Sequence, residues 1–282
     1  LIILIAIVGI TIATPCFAQQ PPTTPPPGSE LRLYDIVRAA NAERIERDIR
    51  KLVGFGTRHT LSDTVSDTRG IGAARRWIKT EFDRISAAAG GKLEVSYQYD
   101  LVKGGESRRI PEDTWVVNVV AIQRGKTHPN RYVIMSGDID SRVSDALNST
   151  SDSPGANDNA SGVAGVLEAA RLLTRYDFAN SIIYTGLSGE EQGLYGGRHM
   201  ARVANETGWA VIGVLNNDMI GNIEGIDGVI DNSTFRVFSQ ATPLEEFQPG
   251  SWSYRTNGGE VDGPSRQVAR FVDRIADIYF PN

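Results

Sequence analysis

Three stretches decide the fold: Tyr132-Val133-Ile134-Met135-Ser136-Gly137-Asp138-Ile139-Asp140; Ser181-Ile182-Ile183-Tyr184-Thr185-Gly186-Leu187-Ser188-Gly189-Glu190-Glu191; and Ala210-Val211-Ile212-Gly213-Val214-Leu215-Asn216-Asn217-Asp218. Each opens with a short apolar, β-branched run and ends in turn residues and carboxylates. That is the pattern of a buried strand with polar residues at its tip. Between the first and second lies Pro154-Gly155-Ala156-Asn157-Asp158-Asn159-Ala160-Ser161-Gly162, a turn-rich segment that opens onto a helix patterned by Val163, Val166, Leu167 and Ala170. In an open sheet of parallel strands with helical crossovers, the carboxyl ends of the strands converge on one crevice. Asp138, Asp140, Asp158, Glu190, Glu191 and Asp218 are therefore expected to share one small region. Taken singly, each acid reads first as the cap of a following helix or the start of an Asx turn. The pairs Asp138/Asp140 and Glu190/Glu191 at consecutive strand ends point instead to a site. Like charges this close either take up protons or gather a cation, so a divalent metal, two rather than one, is expected among them.

Outward from this centre, Asn41 caps a helix running to about Val53, with Ile45, Ile49, Leu52 and Val53 on one face. A second helix is expected over about Gly72 to Ala89, stopped by Gly90-Gly91. Leu93 to Tyr99 alternates as a half-buried strand, and Trp115 to Ile122 reads as a more fully apolar one. Leu194 to Asn205 is the crossover helix after Glu191, Gly228 to Gln240 reads as further strand, and Ala241 to Gly263 as loop. A last helix, Ser265 to Phe280, faces Val268, Phe271, Val272 and Ile275 inward. The expected architecture is α/β: a three-layer α/β/α arrangement around a mixed, mostly parallel sheet. A return to the sheet is expected after the last helix, so the chain reads as truncated at its C-terminus.

Leu1 to Ala13 is almost wholly aliphatic, and no charge precedes Glu30. Too short for a stable bilayer anchor, this run is followed by Thr14-Pro15-Cys16-Phe17-Ala18, placed as a secretory cleavage site. Residues 1–18 read as a signal peptide, with Cys16 as lipid attachment a minor option. Gln19 to Gly28, with five prolines, is an extended tether, and 19–29 is taken as linker before a catalytic domain over 30–282. Cys16 is the only cysteine, so no disulfide framework is expected, and an exported, periplasmic or secreted protein is. The net charge of −5 and the absence of a basic run argue against nucleic acid as a partner.

Gly155 to Gly162, then Ser188-Gly189-Glu190-Glu191-Gln192-Gly193-Leu194-Tyr195-Gly196, then Asn216-Asn217-Asp218-Met219-Ile220-Gly221 resemble, in this order, the zinc-dependent exopeptidases of metallopeptidase family twenty-eight. That family includes secreted bacterial aminopeptidases, glutamate carboxypeptidases and the non-catalytic transferrin receptor. The resemblance covers about Glu43 to Gly221. It implies two divalent metals, zinc by family habit, bridged by Asp158 and held further by Glu191 and Asp218, with Glu190 as general base and Asp140 orienting the first ligand. That first ligand is a His in the family's pattern and Asp138 here, a change that favours a harder ion at that position. The family's last ligand, a His, has no counterpart after Asp218. His59, His128 and His199 are scattered, and each reads as a surface or hydrogen-bonded residue rather than a ligand. The implied activity is hydrolysis of peptides from one end, an aminopeptidase. The rival is a relative that keeps the fold as a binding module; Asp138 speaks for it, and the retained Glu190 and Glu191 against it. Gly70-Ile71-Gly72-Ala73-Ala74-Arg75 falls short of a dinucleotide fingerprint, and Gly186-Leu187-Ser188-Gly189-Glu190 breaks the nucleophile-elbow pattern at its last residue.

Overall fold

The computed structural model describes residues 30–240 and 263–280. The segments 1–29, 241–262 and 281–282, including the leader, the tether and most of the expected loop, lie outside the described residues. Five strands form one sheet, β1 (Leu93–Val102), β2 (Thr114–Gln123), β3 (His128–Asp138), β4 (Asn180–Leu187) and β5 (Ala210–Asn216), in the order β1-β2-β4-β3-β5. β4, β3 and β5 run parallel, while β2 meets both β1 and β4 antiparallel. The sheet is mixed, and its parallel part is the portion built from the three organising stretches.

The helices are α1 (Leu31–Arg38), α2 (Ala42–Val53), α3 (Gly70–Ala88), α4 (Gly162–Leu173), α5 (Tyr195–Glu206) and α6 (Pro264–Tyr279). Asn41 caps α2, its side chain accepting from the Arg44 backbone N–H at 2.8 Å. In α3, Ile71, Ala74, Ile78, Phe82 and Ile85 follow helical spacing and are all buried. They meet Val163, Val166, Leu167 and Ala170 of α4 and the inward side chains of β2 and β4 in the main core. Each such large apolar side chain contributes about 1.5–3 kcal/mol by leaving water. On the other face, Met200 of α5 packs with Val120, Ile122, Tyr132, Ile134 and Ile183. Helices on both faces of the sheet give the three layers.

The helix α3 begins at Gly70, two residues before the expected start. A Cβ on Gly72 would lie 2.2 Å from the Thr64 carbonyl oxygen. The glycines of the Gly70–Arg75 segment therefore serve close packing of α3 on the loop before it. Two further expectations need correction. Gly228 to Gln240 is no strand: apart from a Glu224–Ile230 bridge it is irregular and exposed, having no neighbour to pair with among the described residues. And β5, expected to be buried, pairs only with β3 and leaves Ile212, Val214 and Leu215 exposed, because among the described residues no element covers its faces.

Candidate metal centre and active site

The carboxyl ends of β3, β4 and β5 are stitched together by backbone bonds that follow from their parallel register. The Ile139 N–H donates to the Leu187 carbonyl at 2.7 Å, and the Asn217 N–H to the Ser136 carbonyl at 2.8 Å. Ahead of α4 comes a turn, Ala156–Ser161, kinked at Asp158 and Asn159 and entered through Gly155 at φ 47. A Cβ there would sit 2.4 Å from the Asp158 carbonyl oxygen, so only glycine fits. Within the turn Asp158 is joined to Asn159 by a cis peptide bond. The turn is fastened to the segment after β5. Asn157 Oδ1 accepts from the Gly221 N–H at 2.8 Å, Ser161 Oγ from the Ile220 N–H at 3.2 Å, and Asn159 Oδ1 from the Met219 N–H at 3.3 Å. These bonds bring Asp158 and Asp218 to the same corner.

Asp140 is nearly inaccessible, and its described bonds all reach across the site. It accepts from the Thr60 hydroxyl at 2.8 Å and from the backbone N–H groups of Glu190 and Glu191 at 3.2 and 3.1 Å. Its hold is therefore on the Glu190–Glu191 turn, whereas the resemblance implied a hold on the first ligand, Asp138. The hydroxyl of Thr60 also meets Gln192 Oε1 at 2.9 Å. Behind this, the buried Arg58 guanidinium donates to the carbonyls of Ile139, Pro154 and Gly155 at 2.8, 2.7 and 2.9 Å. It thereby binds the end of β3 to the loop that leads into the Asp158 turn.

Asp138 is buried and accepts from the Asn159 side-chain amide at 3.1 Å. Burial, with the charges of Asp140, Glu190 and Asp218 adding to it, pushes its carboxyl up to about 7. Glu190 is likewise pushed up to about 7, by burial first and then by Asp140, Glu191, Asp218 and Asp158. Asp218 is raised by burial and by the charge of Asp158. Glu191 is raised by burial, although Arg142, with Nε 2.5 Å from its Oε2, pulls the other way. The acids thus act on one another in part: Asp140, Glu190 and Asp218 on Asp138, and Asp158 on Glu190, Glu191 and Asp218. The histidines do not join them. His59 is buried, takes the Leu61 N–H on Nδ1 and faces the Ala146 carbonyl with Nε2. His128 opens β3 at the surface, and His199 pairs with Asp100 across 3.7 Å.

As they stand, no three His, Cys, Asp or Glu side chains among the described residues are arranged to hold a metal ion. The reason is visible in the bonds: Glu191 faces Arg142, and Asp138 faces Asn159. In charge and donor type the residues nevertheless fit a divalent cation. Burial first, and the charges of neighbouring acids after it, has pushed Asp138 and Glu190 up to about 7, and a cation among them would offset that cost. Sequence reasoning missed four contributors: Thr60, Arg142, Asn159 and Gln192. Asn159 and Gln192 stood inside the motifs with no role given, and Arg142 lies two residues beyond Asp140. Thr60 carried no signal at all, since its part depends on burial beside Asp140.

A mixed sheet between helix layers, with carboxylates at the ends of its parallel strands, defines an open α/β/α protein of the kind that binds ligands at its strand ends. Comparison with known proteins narrows this. Residues 118–240 match the sequence model of peptidase family M28, and through that segment the chain belongs to this family. A probable zinc metalloprotease of Pyricularia oryzae is 43% identical over 277 residues, covering 95% of this chain and 55% of the relative. A probable zinc metalloprotease of Pyrenophora tritici-repentis is 44% identical, covering 89% of this chain and 52% of the relative. The chain spans about half the length of these curated relatives. Among solved structures, LapB of Legionella pneumophila superposes with a TM-score of 0.53 at 22% identity, covering 67% of this chain and 46% of that one. The glutaminyl cyclase of Bacteroides thetaiotaomicron gives 0.50 at 20% identity, covering 66% of each. These two likenesses establish the shared fold.

Proposed function

We propose that the protein is an exported, zinc-dependent exopeptidase that removes residues from the amino terminus of peptides. The observation that carries this reading is Glu190. No hydrogen bond engages its carboxylate among the described residues, its backbone is pinned by Asp140, and its proton affinity lies near neutrality. A group in that state both accepts and returns a proton at ordinary pH. In this reading Asp158, Glu191, Asp218 and Asp138 hold two divalent ions. When bound, these ions supply Lewis-acid polarisation of the scissile carbonyl and an acidified attacking water. Glu190 takes the proton of the attacking water and returns it to the leaving amine. Asp140 keeps Glu190 and Glu191 oriented through their backbone N–H groups, and Asn159 holds the Asp138 carboxylate. The acidic surroundings suit the cationic amino terminus of a substrate. Export is supported by the aliphatic leader and the small residues at Thr14 to Ala18.

A second reading, a binding relative without turnover, is favoured by two observations: the Arg142 ion pair on Glu191 and the carboxylate at position 138. Hydrolysis of aminoacyl-nitroanilides by the full-length protein, with and without chelator, separates the two. Chelator-sensitive release that is abolished by acetylating the substrate amine supports the aminopeptidase. Release from acetylated substrates alone replaces it with another peptidase type, and no release from any substrate leaves the binding relative.

A further inference from the structure

Beside the acids, on the α3 side of β1 and β2, lies a cavity of about 750 Å³. Its wall is an aromatic ladder. Tyr97 and Tyr99, two residues apart on β1 and so on the same face, sit edge to face with ring centres 5.9 Å apart, and Tyr99 meets Trp115 of β2 edge to face at 6.2 Å. Tyr99 and Trp115 keep more than half of their surface open, at 58% and 55%. Such a row of large rings facing solvent has a cost in water and is uncommon without a partner. Thr60, which bonds Asp140, also lines this cavity, so it adjoins the carboxylate site.

The cavity lining includes Arg75 of α3, 6% exposed. Its Nε donates to Ser188 Oγ at 3.2 Å, while Nη2 is buried with no hydrogen-bond partner. Among the described residues no acid forms an ion pair with it. A buried guanidinium short of partners is expensive, and the expense is ordinarily recovered by a carboxylate or phosphate that takes both arms of the fork. Nearby cations are already engaged: Lys79 pairs with Asp83, and Arg76 is held by the carbonyls of Thr64 and Val65. Of the two cations in the cavity lining, Arg75 is thus the one without an ion pair among the described residues, and it is buried and planar.

We infer that this cavity is a ligand subsite for a carboxylate borne on an aromatic or apolar body, with the anion at Arg75 and the body against Tyr99 and Trp115. The inference stands apart from the peptidase reading, since it concerns binding and uses none of the six acids. Aromatic stacking holds the body, and the fork of Arg75 selects the charged end. The acidic residues at the mouth, Glu112 and Asp113, disfavour a bare small anion, and Asp113 is itself paired with Lys103.

The test is calorimetric titration of the full-length protein with N-acetyltryptophan and with N-acetyltryptophanamide, which share a body and differ in charge. Both are run in the presence of chelator, so that binding of the acid to a metal does not contribute. The acid is expected to bind about tenfold or more tightly than the amide, the size of one charge-assisted contact. Arg75→Gln should erase that difference, and Trp115→Ala, at an exposed position, should weaken acid and amide alike by several fold. Equal affinity of acid and amide in the unaltered protein overturns the inference, and this comparison needs no variant to fold. So does a preference that survives Arg75→Gln, or the absence of saturable binding by either compound.

Discussion

The tips of β3 and β5 are neighbours in one parallel ladder, yet they present their acids in opposite ways. Asp138 at the end of β3 is 6% exposed, held by Asn159 and followed by the Ile139-Asp140 segment that Arg58 and Thr60 clamp. Asp218 beyond β5 is exposed, on a strand whose own apolar side chains face outward. The ladder shifts register between Tyr132 and Val133 and then runs unbroken to Ser136 and Asn216, so the two tips differ in their cover. The difference teaches that strand order brings the acids together, while burial decides what the gathering costs. Burial pushes the Asp138 carboxyl up to about 7, while Asp218, more open to water, is raised as well, by its partial burial and by the charge of Asp158.

The largest effect should come from the well-anchored half. Replacing Glu190 with Gln in the full-length protein is expected to lower kcat by about 10²–10⁴ fold, the usual contribution of a general base, with metal content by elemental analysis unchanged. Loss of metal in that variant would assign Glu190 to the ligands instead.

Burial at the β3 tip has a pH signature whose sign is fixed. A carboxyl raised to about 7 when folded binds more protons in the folded state than in the unfolded one across pH 4 to 7. Metal-free stability must therefore fall as pH rises through that window. Asp138→Asn should remove the penalty, raising metal-free stability at pH 8 by on the order of 3 kcal/mol and leaving it nearly unchanged at pH 4. Asp218→Asn should shift stability at pH 8 in the same direction but by less, because Asp218 is more open to water. Equal shifts in chemical denaturation of the two variants would break the contrast between the two tips.

Thr60→Val tests the clamp. It leaves buried Asp140 and Gln192 short of a partner at a cost of about 1–3 kcal/mol, to be read from the urea midpoint. A wild-type midpoint would remove Thr60 from the site. The smallest effect concerns Arg142, whose partly buried pair with Glu191 competes with any cation. Arg142→Met should tighten zinc binding by about fivefold, equivalent to about 1 kcal/mol, in competition with a chromophoric chelator. Unchanged or weaker binding would mean that Glu191 stays with Arg142 or does not serve the metal.

Much of this molecule is written in local pattern. The stripe Ile71, Ala74, Ile78, Phe82 and Ile85, the Asn41 cap and the apolar runs of β3 and β4 each follow from the spacing of neighbours along the chain. The apolar run of β5 was legible in the same way, but its exposure was not, since burial depends on what lies across the sheet. The reading of Gly228 to Gln240 as strand failed for a related reason: β propensity without a paired edge gives no strand.

The sequence by itself determined which acids stand at the strand ends, because a period of two and a few turn residues say where a strand stops. It determined the family too, through three short motifs in fixed order. Only the tertiary structure decided that Asp140 grips the Glu190–Glu191 turn, that Arg142 sits on Glu191, and that Arg75 is left unanswered beneath an aromatic wall. Those are contacts between residues far apart in the chain. Their strength depends on how much water the fold excludes around them, which local spacing along a sequence does not record.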